Sequence, residues 1–413
     1  MSGGDHAMRV AVLGAGLQGA CVAMELASAG ISVDLYDKND RCVTQASAQN
    51  EGKIHLGYVY ANDRSLRTAR TMIAGALAFA PLMRRWVGRA IDAVPVSTPF
   101  HYIVHADSLL SAADVEHHFR RSHALAVEAG RGAEPDYFAS DYRVPAARLS
   151  DAELDAHFDR RHVAAAYATR EIAVDPEALA AVVRARLSGD SKIRSRLRTH
   201  VHGAVPADDG VTVEFETSGE RVRERYDHVV NTLWDGRLAV DRTAGLRPGR
   251  PWLYRVKHYV RLHAPALAAR VPSATIVLGG FGDIAAYGDG NFYLSWYPAG
   301  MRGASSELTP PPWPLVLDEP VSRGVRREIV AALGRIVPAL AALAPEAVES
   351  AVLRAGIIFA WGRSDIDDPS SGLHERYAIG PRSRGRYHTI DTGKLTMAPL
   401  FGKAVADRIR KIG

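Results

Sequence analysis

The residues that most constrain the fold lie between Arg9 and Asp37. Arg9–Leu13 is an apolar run suited to a buried parallel strand, and it runs straight into Gly14-Ala15-Gly16-Leu17-Gln18-Gly19, a GxGxxG turn. The spacing predicts a helix over 19–29, stopped at Gly30, then a strand at Ser32–Tyr36 that ends in Asp37. Strand, glycine turn, helix, strand and acid in that order make a βαβ unit able to bind a dinucleotide. Gly14 permits the tight turn, Gly16 lets a diphosphate approach the backbone, and Gly19 lets the helix pack closely on the strand. The helix N-terminus would then face the diphosphate with free N–H groups and a positive dipole end. Asp37 can accept hydrogen bonds from ribose hydroxyls.

The rest of the chain does not continue as a regular βα repeat. Residues 38–48 are polar and turn-like, and 50–60 are rich in glycine and aromatics, a composition more common in ligand loops than in cores. Apolar residues recur at helical spacing over 64–87. A strand is expected at 98–105, a helix over 111–130 capped by Ser111, a short helix from Ser150, and a strand at 163–169. Asp175-Pro176 is a helix start, with proline in the first turn. Residues 194–202, 211–217 and 221–226 predict a three-stranded meander, and His228-Val229-Val230-Asn231 a buried strand. Further strands are expected at 253–262, 275–278, 291–297, 351–361 and 387–390, and helices over 321–343 and 398–412. At 413 residues the chain can hold two or three domains. The expected fold is α/β with an α+β substrate part. A Rossmann-like nucleotide domain is built from 1–95, 160–245 and 355–413, and a β-rich substrate domain from 96–159 and 246–354 is inserted.

The net charge of +5 is carried by scattered arginines with no long basic run, so nucleic acid is not an expected partner. A mild positive field favours a small anionic substrate. Two cysteines cannot build a disulfide framework. No apolar stretch reaches transmembrane length, and the first eight residues carry no secretory signal, so the expected compartment is the cytoplasm. His117-His118 and His200/His202 lack ligand spacing, and no metal is expected. The sequence assigns no oligomeric state.

Three stretches resemble one superfamily. Asn50-Glu51-Gly52-Lys53-Ile54-His55-Leu56-Gly57-Tyr58-Val59-Tyr60 resembles the N-x-G-x-I-H-x-G-x-Y-Y loop of FAD-dependent L-2-hydroxyglutarate oxidases. Gly393-Lys394-Leu395-Thr396 resembles the G-G-K-L-T motif of FAD-dependent glycerol-3-phosphate dehydrogenases, with Thr392 in place of the first glycine. Together with the βαβ unit, these stretches are similar to the D-amino-acid-oxidase-like flavoenzymes. The chain departs from their pattern after Asn231, where Thr232-Leu233-Trp234 stands instead of Ala-Ala-Gly. The resemblance implies an FAD-dependent oxidoreductase that passes a hydride from a small polar substrate, a hydroxy or amino acid, to flavin N5. It implies cofactor contacts from Gly14, Gly16, Leu17, Gln18, Gly19, Asp37 and Lys38, and from Asn50, Gly52, Lys53, Val201 and Thr232. Gly393, Lys394, Leu395 and Thr396 complete the set. A specialised amine or alcohol oxidase on a larger metabolite, or a flavin-binding scaffold without turnover, are the alternatives.

Three residues are candidates for the chemistry. His55 can accept a proton near neutral pH, or it can tether its loop. Arg363 follows a strand and a glycine, as substrate-anion arginines do in this superfamily; it can instead pair with Asp365 or Asp367 at the surface. Tyr287, with Tyr297, can wall the pocket or fill the core. Lys394 and the N–H groups after Gly393 are suited to stabilising negative charge on a reduced flavin ring.

Overall fold

In the computed structural model, which describes residues 8–132 and 136–412, the βαβ unit forms the centre of a six-stranded sheet. The expectation about a secretory signal falls almost wholly on residues outside that range. The strand order is Gly380–Arg384, Tyr387–Asp391, His228–Asn231, Arg9–Leu13, Ser32–Tyr36, Ile193–Arg196. Neighbours run parallel except for the hairpin at the Gly380–Arg384 edge.

Alternation along Arg9–Leu13 sends its side chains to two different cores. Val10 and Val12 pack against the helices Leu17–Ser28 and Ala398–Ile412. Ala11 and Leu13 pack with Val211, Val213 and Phe215 under the meander Thr199–Ala207, Gly210–Thr217, Glu220–Tyr226. A strand covered on both faces has no solvent side, which is why it reads as an unbroken apolar run. Asp34 secures the meander side. Its carboxylate accepts from Arg9, Arg194, Arg196 and Tyr226, and its side chain is only 6% exposed.

A second, larger sheet carries the remaining strands. Trp252–His263 pairs along its length with Val352–Trp361. Its other edge is shared by Met301–Ser305 and Asn291–Trp296, and the sheet continues through Gly282–Ala286, Ala274–Val277, His101–His105, Val163–Ala168 and Ala147–Arg148.

Several expected boundaries shift. The single strand expected over 194–202 is two strands in two sheets, Ile193–Arg196 and Thr199–Ala207, with Arg198 at φ 52° turning the corner between them. Val163–Ala168, expected with the nucleotide segments, pairs instead with His101–His105. The strand of 351–361 likewise belongs to the larger sheet. The helix expected over 321–343 stops at Ile336 and restarts as Pro338–Ala341, because Pro338 has no N–H to continue it. The Ser150 helix has a complete capping box with Glu153.

Two histidines meet inside the first sheet. His228 Nδ1 lies 3.1 Å from His388 Nε2, the rings stack at 5.3 Å, and His388 Nδ1 is 2.7 Å from Ser383 Oγ. Burial, with His228 and Arg408 adding to it, pushes His388 from 6.5 down to about 3. The unfolded chain therefore takes up a proton near pH 6.5 that the folded chain refuses until about pH 3. Above pH 6.5 both states hold this imidazole neutral and it has no effect on stability; below it, stability falls until pH reaches the folded value. The expected loss from His388 is about 2 kcal/mol at pH 5. Thermal melts at pH 7.5 and pH 5 should show a smaller acid loss in His388→Gln than in the wild type; equal losses would clear this pair.

Candidate active site

A cavity of about 510 Å³ lies between the βαβ unit, the larger sheet and the C-terminal motif. Its side nearest the βαβ unit is built by close backbone packing. Gly14 has φ +99°, and a Cβ there would sit 2.8 Å from Thr232 O; a Cβ at Gly19 would sit 1.9 Å from Gly14 O. Asp37 accepts from Ala15 N–H at 2.8 Å and from Asn39 N–H at 2.9 Å, so it shapes the turn as well as lining the cavity. The N–H of Leu17 donates to Ser47 Oγ at 2.9 Å. Those of Gly16 and Gln18 have no partner among the described residues, and both residues line the cavity. Val201, flanked by His200 and His202, lines it further along.

The C-terminal motif closes the opposite side. Gly393 takes φ +64°, and Lys394 N–H turns back onto Thr392 O at 2.6 Å. Thr392, the departure from the resembled motif, donates its hydroxyl to Gln18 Oε1 at 3.0 Å, while Gln18 Nε2 donates to Ala398 O at 3.0 Å. Thr396 Oγ1 donates to Lys53 O at 3.0 Å and accepts from His55 N–H at 3.1 Å. The other departure, Trp234, has φ 55° and donates its indole N–H to Ile357 O at 2.8 Å, joining the first sheet to the second.

Between these sides lies a charged chamber. Lys53 is almost fully buried and donates to Asp283 at 2.8 Å and to Thr275 Oγ1. Arg255, 1% exposed, pairs with Asp365. Lys257, Lys394 and Arg376 line the cavity without a carboxylate of the described residues in ion-pair range; Arg376 donates to Phe359 O at 3.3 Å. Burial pushes Lys394 down to about 8, helped by Arg376, Lys257 and Lys53 and resisted by Glu51. Burial opposes ionisation of Glu51, yet Lys394, Lys257 and Lys53 outweigh it and hold its pKa low. His55 lines the same chamber, with Nδ1 3.7 Å from Glu171 Oε1 and no hydrogen-bond partner for that atom. Burial lowers its pKa although Glu171 pulls the other way. Glu171, fully buried behind it, accepts from Leu56 N–H at 2.6 Å and from the Tyr102 hydroxyl.

Most of the expected cofactor residues line this cavity: Gly14, Gly16, Leu17, Gln18, Asp37, Lys38, Asn50, Lys53, Val201, Thr232, Gly393, Lys394 and Leu395. Gly19, Gly52 and Thr396 do not; they hold the wall from behind by close packing and hydrogen bonding. Lys53 turns its ammonium to Asp283, away from the βαβ unit.

Two of the three candidates for the chemistry are corrected. Arg363 is exposed and lies outside the cavity, because Gly362 at φ +140° turns the chain outward. Tyr287 is buried beneath the loop, its hydroxyl donating to Glu51 O at 2.8 Å, so it supports the wall and does not form it. Sequence reasoning passed over Arg376, Arg255, Lys257 and Ser47. The Lys257 and Arg255 signal was present as cations alternating with apolar residues along one strand, Arg255, Lys257 and Arg261, where burial without a purpose is costly. Among the described residues no group of three His, Cys, Asp or Glu could hold a metal, and no helix is long and apolar enough to cross a membrane.

The family model described as DAO, FAD dependent oxidoreductase, matches residues 9–408. No curated protein sequence matches the chain. Among solved structures, glycine oxidase from Geobacillus kaustophilus is similar at TM-score 0.66 and 16% identity, over 98% of this chain and 95% of that one. L-proline dehydrogenase from P. horikoshii is similar at TM-score 0.67 and 17% identity, over 98% and 93%. L-α-glycerophosphate oxidase from Mycoplasma pneumoniae, with FAD bound, is similar at TM-score 0.64 and 15% identity, over 98% and 94%. At these identities the likeness is one of fold.

Replacing Gly16 tests the dinucleotide side directly. A Cβ at this position meets Ser47 Oγ at 3.0 Å and crowds the N–H groups that face the cavity. Gly16→Val should purify with less than a tenth of the wild-type flavin per chain, read from the visible spectrum and from cofactor released by denaturation. Full flavin content would displace the site from this turn.

Proposed function

The chain belongs to the DAO family of FAD-dependent oxidoreductases, and from that premise we propose that it oxidises a small anionic hydroxy or amino acid. The observation that carries this reading is the charge of the chamber: Lys257, Lys394 and Arg376 face it, with Glu51 as its one unpaired carboxylate among the described residues. Buried cations without counter-ions are costly to maintain, and an anionic substrate would offset that cost.

The residues present fit the cofactor. The unpartnered N–H groups of Gly16 and Gln18 suit a diphosphate, and Asp37 keeps acceptor capacity for ribose hydroxyls beyond its own turn bonds. Lys394, beside the αL turn at Gly393, suits negative charge on the ring. Bound FAD supplies the hydride acceptor.

The chain's own residues supply the rest. Arg376, buried and planar, is suited to receive a substrate carboxylate on two N–H groups. His55, kept neutral at pH 7 by burial, is suited to accept the proton of the substrate hydroxyl or amine. Glu171 lies where it favours the imidazolium that forms. Tyr60, Tyr293 and Tyr297 wall the chamber, and the hydroxyls of the first two are buried without partners, available to a polar ligand.

Anaerobic mixing with a panel of hydroxy and amino acids tests the reading, since oxidation of any of them bleaches the flavin. His55→Asn should slow reduction by roughly 10²–10⁴-fold. The wild-type rate should fall with acid around a midpoint below 6.5, because burial lowers the imidazole pKa. Arg376→Met should chiefly weaken substrate binding and leave the limiting rate near that of the wild type. Bleaching by neutral alcohols or amines alone would overturn the anionic assignment.

A further inference from the structure

Lys257 is the unexplained cation of the chamber. It projects from the middle of Trp252–His263, in the interior of the larger sheet, and is 7% exposed. Its Nζ lies 4.6 Å from the centre of the Tyr297 ring and 5.6 Å from that of Tyr293. Ser295 Oγ lies at a long 3.5 Å, and the Tyr293 hydroxyl is a second polar group beside the ammonium. The register against Met301–Ser305 slips at this residue, with Val256 opposite Gly303 and Lys257 opposite Met301. Such irregularities recur beside active sites, where they re-aim a side chain.

The nearby acids are already committed. Asp283, whose backbone N–H donates to Ser295 Oγ at 3.3 Å, accepts on its carboxylate from Lys53 at 2.8 Å and from Thr275 Oγ1 at 2.9 Å. Asp365 holds Arg255. Glu171 does not line the cavity, and both its oxygens accept hydrogen bonds behind His55. With those pairs set aside, Lys257, Lys394 and Arg376 stand against Glu51 alone. Lys394 is suited to the flavin ring, so Arg376 and Lys257 are the two cations left to face the substrate.

The two cations also approach from different elements. Arg376 follows the 363–375 segment and is anchored at Phe359 O, whereas Lys257 rises from the sheet floor beside Ser295. We propose that the substrate carries a second anionic group, and that Lys257 and the ring of Tyr297 form the subsite that receives it, with Ser295 behind the ammonium. This deepens, and rests on, the anionic-substrate reading above. Lys257 is then the residue that selects a dianion over a monoanion of the same length.

Calorimetric titration of the flavin-loaded protein with matched non-oxidisable acids tests this without turnover. The pairs are succinate and butyrate, glutarate and pentanoate, adipate and hexanoate, in which a methyl replaces one carboxylate. At one length or more, the diacid should bind at least tenfold more tightly than its monoacid. Lys257→Met should abolish that ratio mainly by weakening the diacid, Lys257→Arg should keep it, and Arg376→Met should weaken both acids of a pair. Equal weakening of both by Lys257→Met would mean that one carboxylate is shared between the two cations, and the second subsite would be rejected. It would be rejected equally if the wild type discriminates no pair, a measurement that requires no variant to fold. Failure of every acid to bind would remove the anionic-substrate reading itself.

Discussion

The site depends on Thr396. Its hydroxyl accepts from His55 N–H and donates to Lys53 O, joining positions 341 and 343 residues apart. A hydroxyl that both donates and accepts within a buried backbone loop fixes that loop in position and orientation together. Gln18 does the same for the first helix, taking the Thr392 hydroxyl and giving its amide to Ala398 O. The last helix therefore lies against the first turn with the His55 loop clasped to it. Each such bond contributes about 1 kcal/mol net, but leaving a buried partner unsatisfied costs more. These few bonds consequently decide where the cavity wall stands, while the apolar packing on either face of Arg9–Leu13 decides that the domain folds at all.

The chamber treats polar groups in the opposite way. Around the turn and the C-terminal motif most buried donors and acceptors are matched. In the chamber, His55 Nδ1 and the hydroxyls of Tyr60 and Tyr293 are buried and unmatched, and three cations face one carboxylate. Native proteins hold such groups unsatisfied mainly where a ligand completes them. Lys53 marks the boundary between the two regimes: its backbone belongs to the matched wall through Thr396, and its ammonium is neutralised by Asp283. The next cation on the sheet floor, Lys257, has no such partner.

The parts legible in the sequence were those written in local order. The βαβ unit shows itself through periodicity and glycine spacing, and the 50–60 loop and the 393–396 motif through residue order. What was not legible depends on where a side chain points after the chain turns. Arg363 was a sound candidate by position, but the φ of Gly362 sends it outward, and nothing in a glycine's identity tells which conformation it will take. Arg376 lies in an irregular segment with no periodicity to mark a buried face. The meander boundary at Arg198 was hidden because residues on both sides read equally well as strand. Ser47 looked like any turn serine until the fold set its hydroxyl against the N–H of Leu17.

The segment from Arg363 to Arg376 also explains how an exposed arginine and a buried one can sit so close in sequence. Asp365 reaches in to Arg255, Leu373 packs beneath Gly362, and Arg376 N–H donates to Thr68 Oγ1 at 2.9 Å. Asn62 holds the outside of the segment through Pro369 O at 2.8 Å. The chain thus leaves the larger sheet at Trp361, passes over the chamber and re-enters the first sheet at Gly380, pinned at each end by a buried charge or backbone bond. Its course leaves two arginines on the chamber wall in unlike settings: Arg255, on Trp252–His263, is paired with the segment's Asp365, and the segment's own Arg376 has no carboxylate partner among the described residues. A cation that is already paired cannot give an incoming carboxylate the same electrostatic gain as one that is not, because an existing ion pair must first be broken. That difference, set by the course of this one segment, is why the anion site is assigned to Arg376 rather than to the more deeply buried Arg255.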